Sequence, residues 1–219
     1  MSVLHGFGMG IATQNSAGET LDVFYPNPLS NIGDELAAVV SGLSGPLDND
    51  QLAELSKGFS AVGADEQAKL ADQLRTSTGR VVATTLIDNT APASVADAYL
   101  KLHLLSHRKV KPHGTELEGL FGLLPNVAWT DQGAVCLSDL PQRQLDARLK
   151  GAVLEVASVD KFPKMTNYVV PSGVRIAHTA RVRLGAYLGE GTTVMHEGFI
   201  NFNGGTEGPG MIEGRISAG

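Results

Sequence analysis

From position 170 onward one aliphatic residue returns at every sixth position: Val170, Ile176, Val182, Leu188, Val194 and Ile200. Four residues after the first five of these stand Val174, Ala180, Ala186, Thr192 and Gly198, nearly all small. Side chains repeat their direction every two residues in a strand and every 3.6 in a helix, so neither element accounts for a period of six. A stacked coil does. Each hexad forms one side of a triangular turn, its aliphatic points inward, and the small residue lets the chain round the corner. Three hexads, roughly 18 residues, close one turn, so the segment 170–203 predicts about two coils of parallel β-helix with all six aliphatics inside.

The chain ahead of this repeat reads differently, and the change falls near Pro163. Residues 3–13 and 21–25 predict two short strands joined by a turn at Ser16-Ala17-Gly18. Asp34 caps a predicted helix through Val40, and Asp48 or Asp50 another through Leu55. Residues 64–75 are rich in helix formers, with Ala68, Ala71 and Leu74 as a narrow apolar stripe. The β-branched run 80–87 predicts a strand. Ser94 with Asp97 resembles a capping box, followed by Val95, Ala98, Tyr99, Leu102 and Leu105 at helical spacing. A last helix at 142–149 leads to a strand at 152–159. The expected organisation is an α/β domain over residues 1–163 and the first β-helix coils over 164–219.

Charge and cysteine content narrow the function classes. A net charge of -6 without a Lys/Arg cluster carries no nucleic-acid footprint. The densest basic stretch, 103–111, reads as the end of an amphipathic helix. Cys136 is the only cysteine, so no intrachain disulfide forms and a reducing compartment is expected. Residues 1–13 are apolar and Gly-rich but lack the positive region and cleavage site of a signal peptide. No apolar run reaches the roughly 20 residues that span a bilayer. The expectation is a cytoplasmic protein with neither nucleic-acid nor membrane partners.

Within and beyond the repeat, the run Thr192-Thr193-Val194-Met195-His196-Glu197-Gly198-Phe199-Ile200-Asn201-Phe202-Asn203 is followed by Gly204-Gly205-Thr206-Glu207-Gly208 and by Met211-Ile212-Glu213-Gly214-Arg215-Ile216-Ser217-Ala218-Gly219. These motifs resemble those of the tetrahydrodipicolinate N-succinyltransferase family of hexapeptide-repeat acyltransferases, in the branch typified by pseudomonads and actinobacteria. Residues 100–113, 123–130 and 159–171 also resemble that branch. The likeness is strong over 95–219 and weaker over the first ninety residues. It implies a left-handed winding of the coils and a homotrimer with sites in the clefts between subunits. It also implies transfer of succinyl from succinyl-CoA to the amine of L-2-amino-6-oxopimelate, ring-opened tetrahydrodipicolinate, in lysine and diaminopimelate biosynthesis. Finally it implies a longer protein than this chain, whose 219 residues are expected to be inactive alone.

Acylating an amine requires removal of its proton, a held thioester and stabilisation of the tetrahedral oxyanion. By position in the motif, Glu213 matches the family's catalytic carboxylate, as general base or as nucleophile through an acyl anhydride. Its spacing alone is equally that of a solvated corner residue. Arg215, two residues on, would point the same way in an extended chain, and the resemblance places it at the succinyl-CoA site. The alternative for Arg215 is a surface salt bridge. Because the acceptor is a dicarboxylate, Arg175, Arg181 and Arg183 are secondary candidates. Glu197 matches a position that binds Mg2+ on the trimer axis in some members, but the accompanying aspartate aligns with Ala180, which has no ligand atom.

His178 and His196 stand 18 residues apart, so they stack on adjacent coils, as a zinc pair, a base or two exposed rings. The segment 204–210 reads as a loop that breaks the period. Asn201, Asn203 and Thr206 beside it are candidate substrate contacts or simple turn formers. Another hexapeptide-repeat CoA acyltransferase and a metal-dependent γ-carbonic-anhydrase-like protein are the competing readings, since one scaffold hosts many functions.

Overall fold

The computed structural model describes residues 3–218. In the first part of the chain the elements run β1 (Leu4–Gln14), β2 (Thr20–Phe24), β3 (Leu29–Ile32), α1 (Asp34–Val40), β4 (Gly45–Pro46), α2 (Asn49–Ala61), α3 (Asp65–Leu74), β5 (Arg80–Leu86) and α4 (Val95–Ser106). Next come α5 (Leu120–Leu123), β6 (Val127–Thr130), β7 (Gly133–Cys136), α6 (Leu140–Leu149) and β8 (Val156–Asp160). Short coil strands follow: β9 (Arg175–Ile176), β10 (Tyr187–Leu188), β11 (Thr192–Val194), β12 (Phe199–Ile200), β13 (Gly205–Thr206), β14 (Gly210–Ile212) and β15 (Arg215–Ile216).

β1 organises the first sheet. It pairs antiparallel with β2 and β3 on one edge and with β5 on the other. Its alternation sorts the two faces, because successive strand side chains point to opposite sides. Phe7 and Met9 enter one core with Leu52, Phe59, Ala71 and Leu74 of α2 and α3. Gly6, Gly8 and Gly10 face the other way and leave a trough for α4. A Cβ on Gly8 would stand 2.6 Å from Tyr25 and 2.9 Å from Leu100. The predicted caps form in part. Asp48 and Gln51 make a reciprocal capping box, and α2 runs on to Ala61, beyond the predicted end at Leu55. At α4 the Ser94 hydroxyl accepts from the Asp97 N–H, but the Asp97 carboxylate takes the Ala93 N–H instead of closing the box.

α4 corrects the expectation of an amphipathic helix. Every residue from Ala98 to Ser106 is buried, because the sheet covers one side and the hairpin and coils cover the other. Its polar side chains are satisfied inside. Lys101 Nζ donates to Asn89 and Thr115 at 3.3 and 3.2 Å. His103 Nε2 accepts from the Tyr25 N–H at 3.2 Å, so Nδ1 carries the hydrogen it donates to the Tyr99 carbonyl at 2.7 Å.

This arrangement has a pH consequence. Burial pushes His103 down to about 3 and His107 down to about 4. Below its ordinary value near 6.5 the unfolded imidazole takes a proton that the folded one refuses, so stability falls as the pH drops from about 6.5 toward 3. Asp22, raised chiefly by burial, contributes with the opposite sign. His103 alone is expected to lose about 2 kcal/mol of stability by about pH 5. Urea midpoints measured between about pH 7 and 5 should be less acid-sensitive in His103→Asn than in the parent. Equal sensitivity would refute this account.

Four strands eluded the sequence pattern: β3, β4, and both strands of the β6–β7 hairpin, against which β8 pairs antiparallel. β8 begins only at Val156, not at 152, since the turn after α6 ends at Gly151 and residues 152–155 are an irregular connection.

The repeat forms the predicted coils. All their strand pairs are parallel, and Val194 pairs with Ile176, Ile200 with Val182, Leu188 with Thr206 and Ile212 with Val194. Val182, Leu188, Val194 and Ile200 are fully buried, and Ile176 packs against them. Val170 is the exception, 66% exposed. Pro171 and the turn after it precede the first paired strand, so no coil wall encloses Val170. The segment 204–210 also departs from expectation. It stays in register, with Gly205 beside Tyr187 and Gly210 beside Thr192. The slip comes later: Phe199 pairs with Arg215 and Ile200 with Ile216, two residues short of the regular offset.

α4 fastens to these coils at its C-terminal end. The Ser106 hydroxyl donates to the Ala186 carbonyl at 3.1 Å and accepts the Gly185 N–H at 2.8 Å. One apolar cluster therefore runs from Val23 and Tyr99 through Leu102 to Val182, Val194 and Ile200.

Candidate functional site

The chemistry-bearing residues gather at one corner of the coils. The corner 195–199 lies against the shorter corner 212–215, joined by Met195 N–H to the Ile212 carbonyl and Phe199 N–H to the Gly214 carbonyl, both 2.9 Å. Glu213 sits on the outer corner, exposed, and its carboxylate has no hydrogen bond or ion pair among the described residues. Below it, His178 and His196 stack as expected from their spacing, with ring centroids 5.8 Å apart and edge-on at 82°.

Three guanidinium groups line the same edge in different states. Arg181 Nη2 pairs with Glu197 Oε2 at 3.0 Å. Arg183 Nη2 pairs with Asp160 Oδ2 at 2.7 Å, and its Nη1 donates to Asn201 Oδ1 at 3.1 Å. Arg183 also lies over the Phe162 ring at 5.1 Å and near Phe199 at 5.8 Å. Arg215 lies over the Phe199 ring, 5.1 Å from its centroid, and makes no ion pair among the described residues. Phe162 in turn stacks on Phe202 at 4.4 Å. Arg175 is exposed on β9 and joins none of these contacts.

Glu197 does not offer a free cation ligand within one chain. Its two carboxylate oxygens face Arg181 and His196 Nδ1, the latter at 3.1 Å. Among the described residues no group of three His, Cys, Asp or Glu side chains is placed to hold a metal. Within one chain, Glu197 is therefore joined by no second oxygen ligand for a magnesium ion among the described residues.

The three remaining candidates carry visible structural duties. Asn201 is buried and accepts from Arg183 and from the Phe202 N–H. Asn203 adopts φ 56° and accepts the His113 N–H at 2.8 Å, tying the segment after α4 to the coils. The Thr206 hydroxyl accepts the Gly208 N–H at 3.1 Å within its own turn. A cavity of about 540 Å³ opens beside the edge, lined by Asp160, Phe162, Lys164, Ala180 and Arg183 but not by Glu213 or Arg215.

Asp160, Phe162 and Phe199 were not singled out from the sequence. The coil spacing would have set Phe199 over Arg181, but only the slip in register brings Arg215 to it. Asp160 reaches Arg183 from β8, across the boundary between sheet and coil.

A parallel coil with a six-residue period, carrying exposed arginine and carboxylate groups at one corner, defines a protein of the hexapeptide-repeat class. The family model "Tetrahydrodipicolinate N-succinyltransferase middle" matches residues 124–164. The chain is 58% identical to the 2,3,4,5-tetrahydropyridine-2,6-dicarboxylate N-succinyltransferase of Pseudomonas putida, over 100% of its own length and 65% of that protein's. It is 50% identical to the protein of that name from Vibrio cholerae, over 97% of this chain and 64% of that one. A crystal structure from Campylobacter jejuni, provisionally named a 2,3,4,5-tetrahydropyridine-2-carboxylate N-succinyltransferase, superposes with a TM-score of 0.86 at 26% identity, covering 99% of this chain and 63% of that one. Over its whole extent the chain is similar to these tetrahydrodipicolinate N-succinyltransferases. It spans 65% of the length of its Pseudomonas putida relative.

Proposed function

We propose that the chain is part of an N-succinyltransferase that moves succinyl from succinyl-CoA to the amine of L-2-amino-6-oxopimelate, in diaminopimelate and lysine biosynthesis. The observation that carries this reading is the 58% identity to a named N-succinyltransferase over the full extent of the chain. The corner geometry supports it, because a carboxylate and a guanidinium that are unpaired among the described residues lie two residues apart on one exposed edge.

In this reading the amine nitrogen attacks the thioester carbonyl, the C–N bond forms and the C–S bond breaks. Glu213 takes the amine proton, and the thiolate leaves as CoA thiol after protonation. In the anhydride variant the Glu213 carboxylate attacks first, and the amine then displaces it. Arg215 holds an anionic group of the donor, for which a guanidinium without a competing carboxylate is suited. Asn201, Asn203 and Thr206 shape the wall beside the site and serve as secondary substrate contacts.

The coils wind left-handed, residues 1–163 form the α/β unit and 164–219 the coil unit, and three copies assemble into a cytoplasmic homotrimer with sites between them. The Arg181–Glu197 pair neutralises the glutamate within each copy, and a magnesium ion shared by three Glu197 carboxylates on the trimer axis would compete with it. No helix among the described residues is long and apolar enough to cross a membrane.

The direct test uses the whole protein, following thiol release from succinyl-CoA with and without the acceptor. Sustained thiol release that requires the acceptor is expected, with at most about one equivalent per site in its absence. Sustained release that is independent of the acceptor, or no release with it, would overturn the assignment.

A further inference from the structure

We infer that Phe199 is a positioning residue, whose ring holds the Arg215 guanidinium ready to receive an anionic group of the donor. This rests on the succinyl-transfer reading above. Of the three guanidinium groups on this edge, Arg181 and Arg183 are already committed to Glu197 and Asp160. Arg215 has neither ion pair nor hydrogen bond among the described residues, and its guanidinium lies over the Phe199 ring at 5.1 Å.

That contact differs in kind from a salt bridge. A carboxylate partner would occupy the N–H fork that a ligand needs, whereas an aromatic face takes the flat side of the guanidinium and leaves its edge free. An exposed arginine otherwise samples many rotamers, and ordering them on binding weakens affinity. Stacking removes part of that cost beforehand.

The ring itself is held in place. Its strand bonds to the next coil through the Phe199 N–H, the neighbouring Ile200 is fully buried, and Arg183 approaches the same ring at 5.8 Å while anchored to Asp160 and Asn201. The register slip completes the arrangement. Had the coil kept its regular offset, Ser217 would stand above Phe199. Shortening the corner by two residues brings Arg215 there instead.

The anion is either the terminal carboxylate of the succinyl group or a phosphate of CoA, both matched to a bidentate guanidinium. Steady-state kinetics of the whole protein with succinyl-CoA and with butyryl-CoA, which lacks that carboxylate, tell the two apart. Phe199→Leu should raise KM for succinyl-CoA about threefold to fivefold, the scale of an exposed cation–π contact, with kcat little changed. A rise confined to succinyl-CoA assigns the carboxylate, and a rise with both donors assigns the phosphate. Phe199→Tyr should restore the parental KM. Arg215→Lys, which keeps the charge but loses the flat fork, should raise KM similarly and should add little to Phe199→Leu in the double variant. If Phe199→Leu does not fold, Phe199→Tyr and Arg215→Lys still decide: a parental KM in Arg215→Lys overturns the inference. A parental KM in Phe199→Leu alongside a raised KM in Arg215→Ala overturns the role of Phe199 and leaves the donor-site reading intact. A parental KM in Arg215→Ala overturns both.

Discussion

Replacing Glu213 by glutamine is expected to reduce succinyl transfer in the whole protein on the order of 100-fold or more, the contribution of a positioned general base. The substitution keeps the shape of the side chain but exchanges one acceptor oxygen for an NH2 donor, removing its basicity and its nucleophilicity together. Folding should be unaffected, because the exposed carboxylate makes no hydrogen bond or ion pair among the described residues that glutamine would break. Unchanged melting behaviour with lost turnover is therefore the expected pair of results. Near-parental turnover would rule out both proposed roles. Within the active protein, rapid quenching during turnover separates the two. A succinyl group recovered on Glu213 supports the anhydride route, and its absence under conditions that stabilise acyl anhydrides supports the base.

Gly205→Ala should be among the most damaging single methyls in the coil region, beside Gly189→Ala, whose Cβ would stand 1.9 Å from the Glu207 carbonyl oxygen. A Cβ at Gly205 would stand 1.9 Å from the Tyr187 carbonyl oxygen, which belongs to the neighbouring parallel strand. Backbone cannot yield as a side-chain tip can, so β10 and β13 must separate and the aliphatic stack loosens. A loss of about 3 kcal/mol or more follows, with a melting temperature lower by on the order of 10 °C. Gly210→Ala is the matched control. It lies in the same stretch of coil, and no atom stands within 4 Å of its added methyl. Its change in stability should stay within about 0.5 kcal/mol. If the two variants melted alike, close approach of the coil backbones would not be what holds this layer together.

Much of this architecture was legible because it is local chemistry. Asp48 and Gln51 stand three residues apart and cap α2 whatever lies around them. Ala68, Ala71 and Leu74 share a helix face by spacing alone, and all three are buried. The coil aliphatics were legible for a related reason. A residue returning every sixth position meets the same surroundings in each turn, so Val182, Leu188, Val194 and Ile200 all reach the interior. The motif ending in Glu213 and Arg215 was likewise readable, as a string of residue types.

What the sequence by itself determined, then, was the repeat, its inward side and the types of group available at the corner. Only the tertiary structure decided where the coils begin, since Val170 has the right spacing but no wall around it. It also decided that α4 is buried on every side, because a polar residue such as Lys101 looks solvent-facing until Asn89 and Thr115 arrive from distant loops. The same holds at the corner. No local pattern shows that the strand pairing slips between Ile212 and Arg215, or that Arg181 and Arg183 are paired while Arg215 rests on Phe199. Those outcomes depend on how one coil stacks on the next and on Asp160 reaching in from β8. They are settled by contacts between residues far apart in sequence, to which the spacing of neighbours is blind.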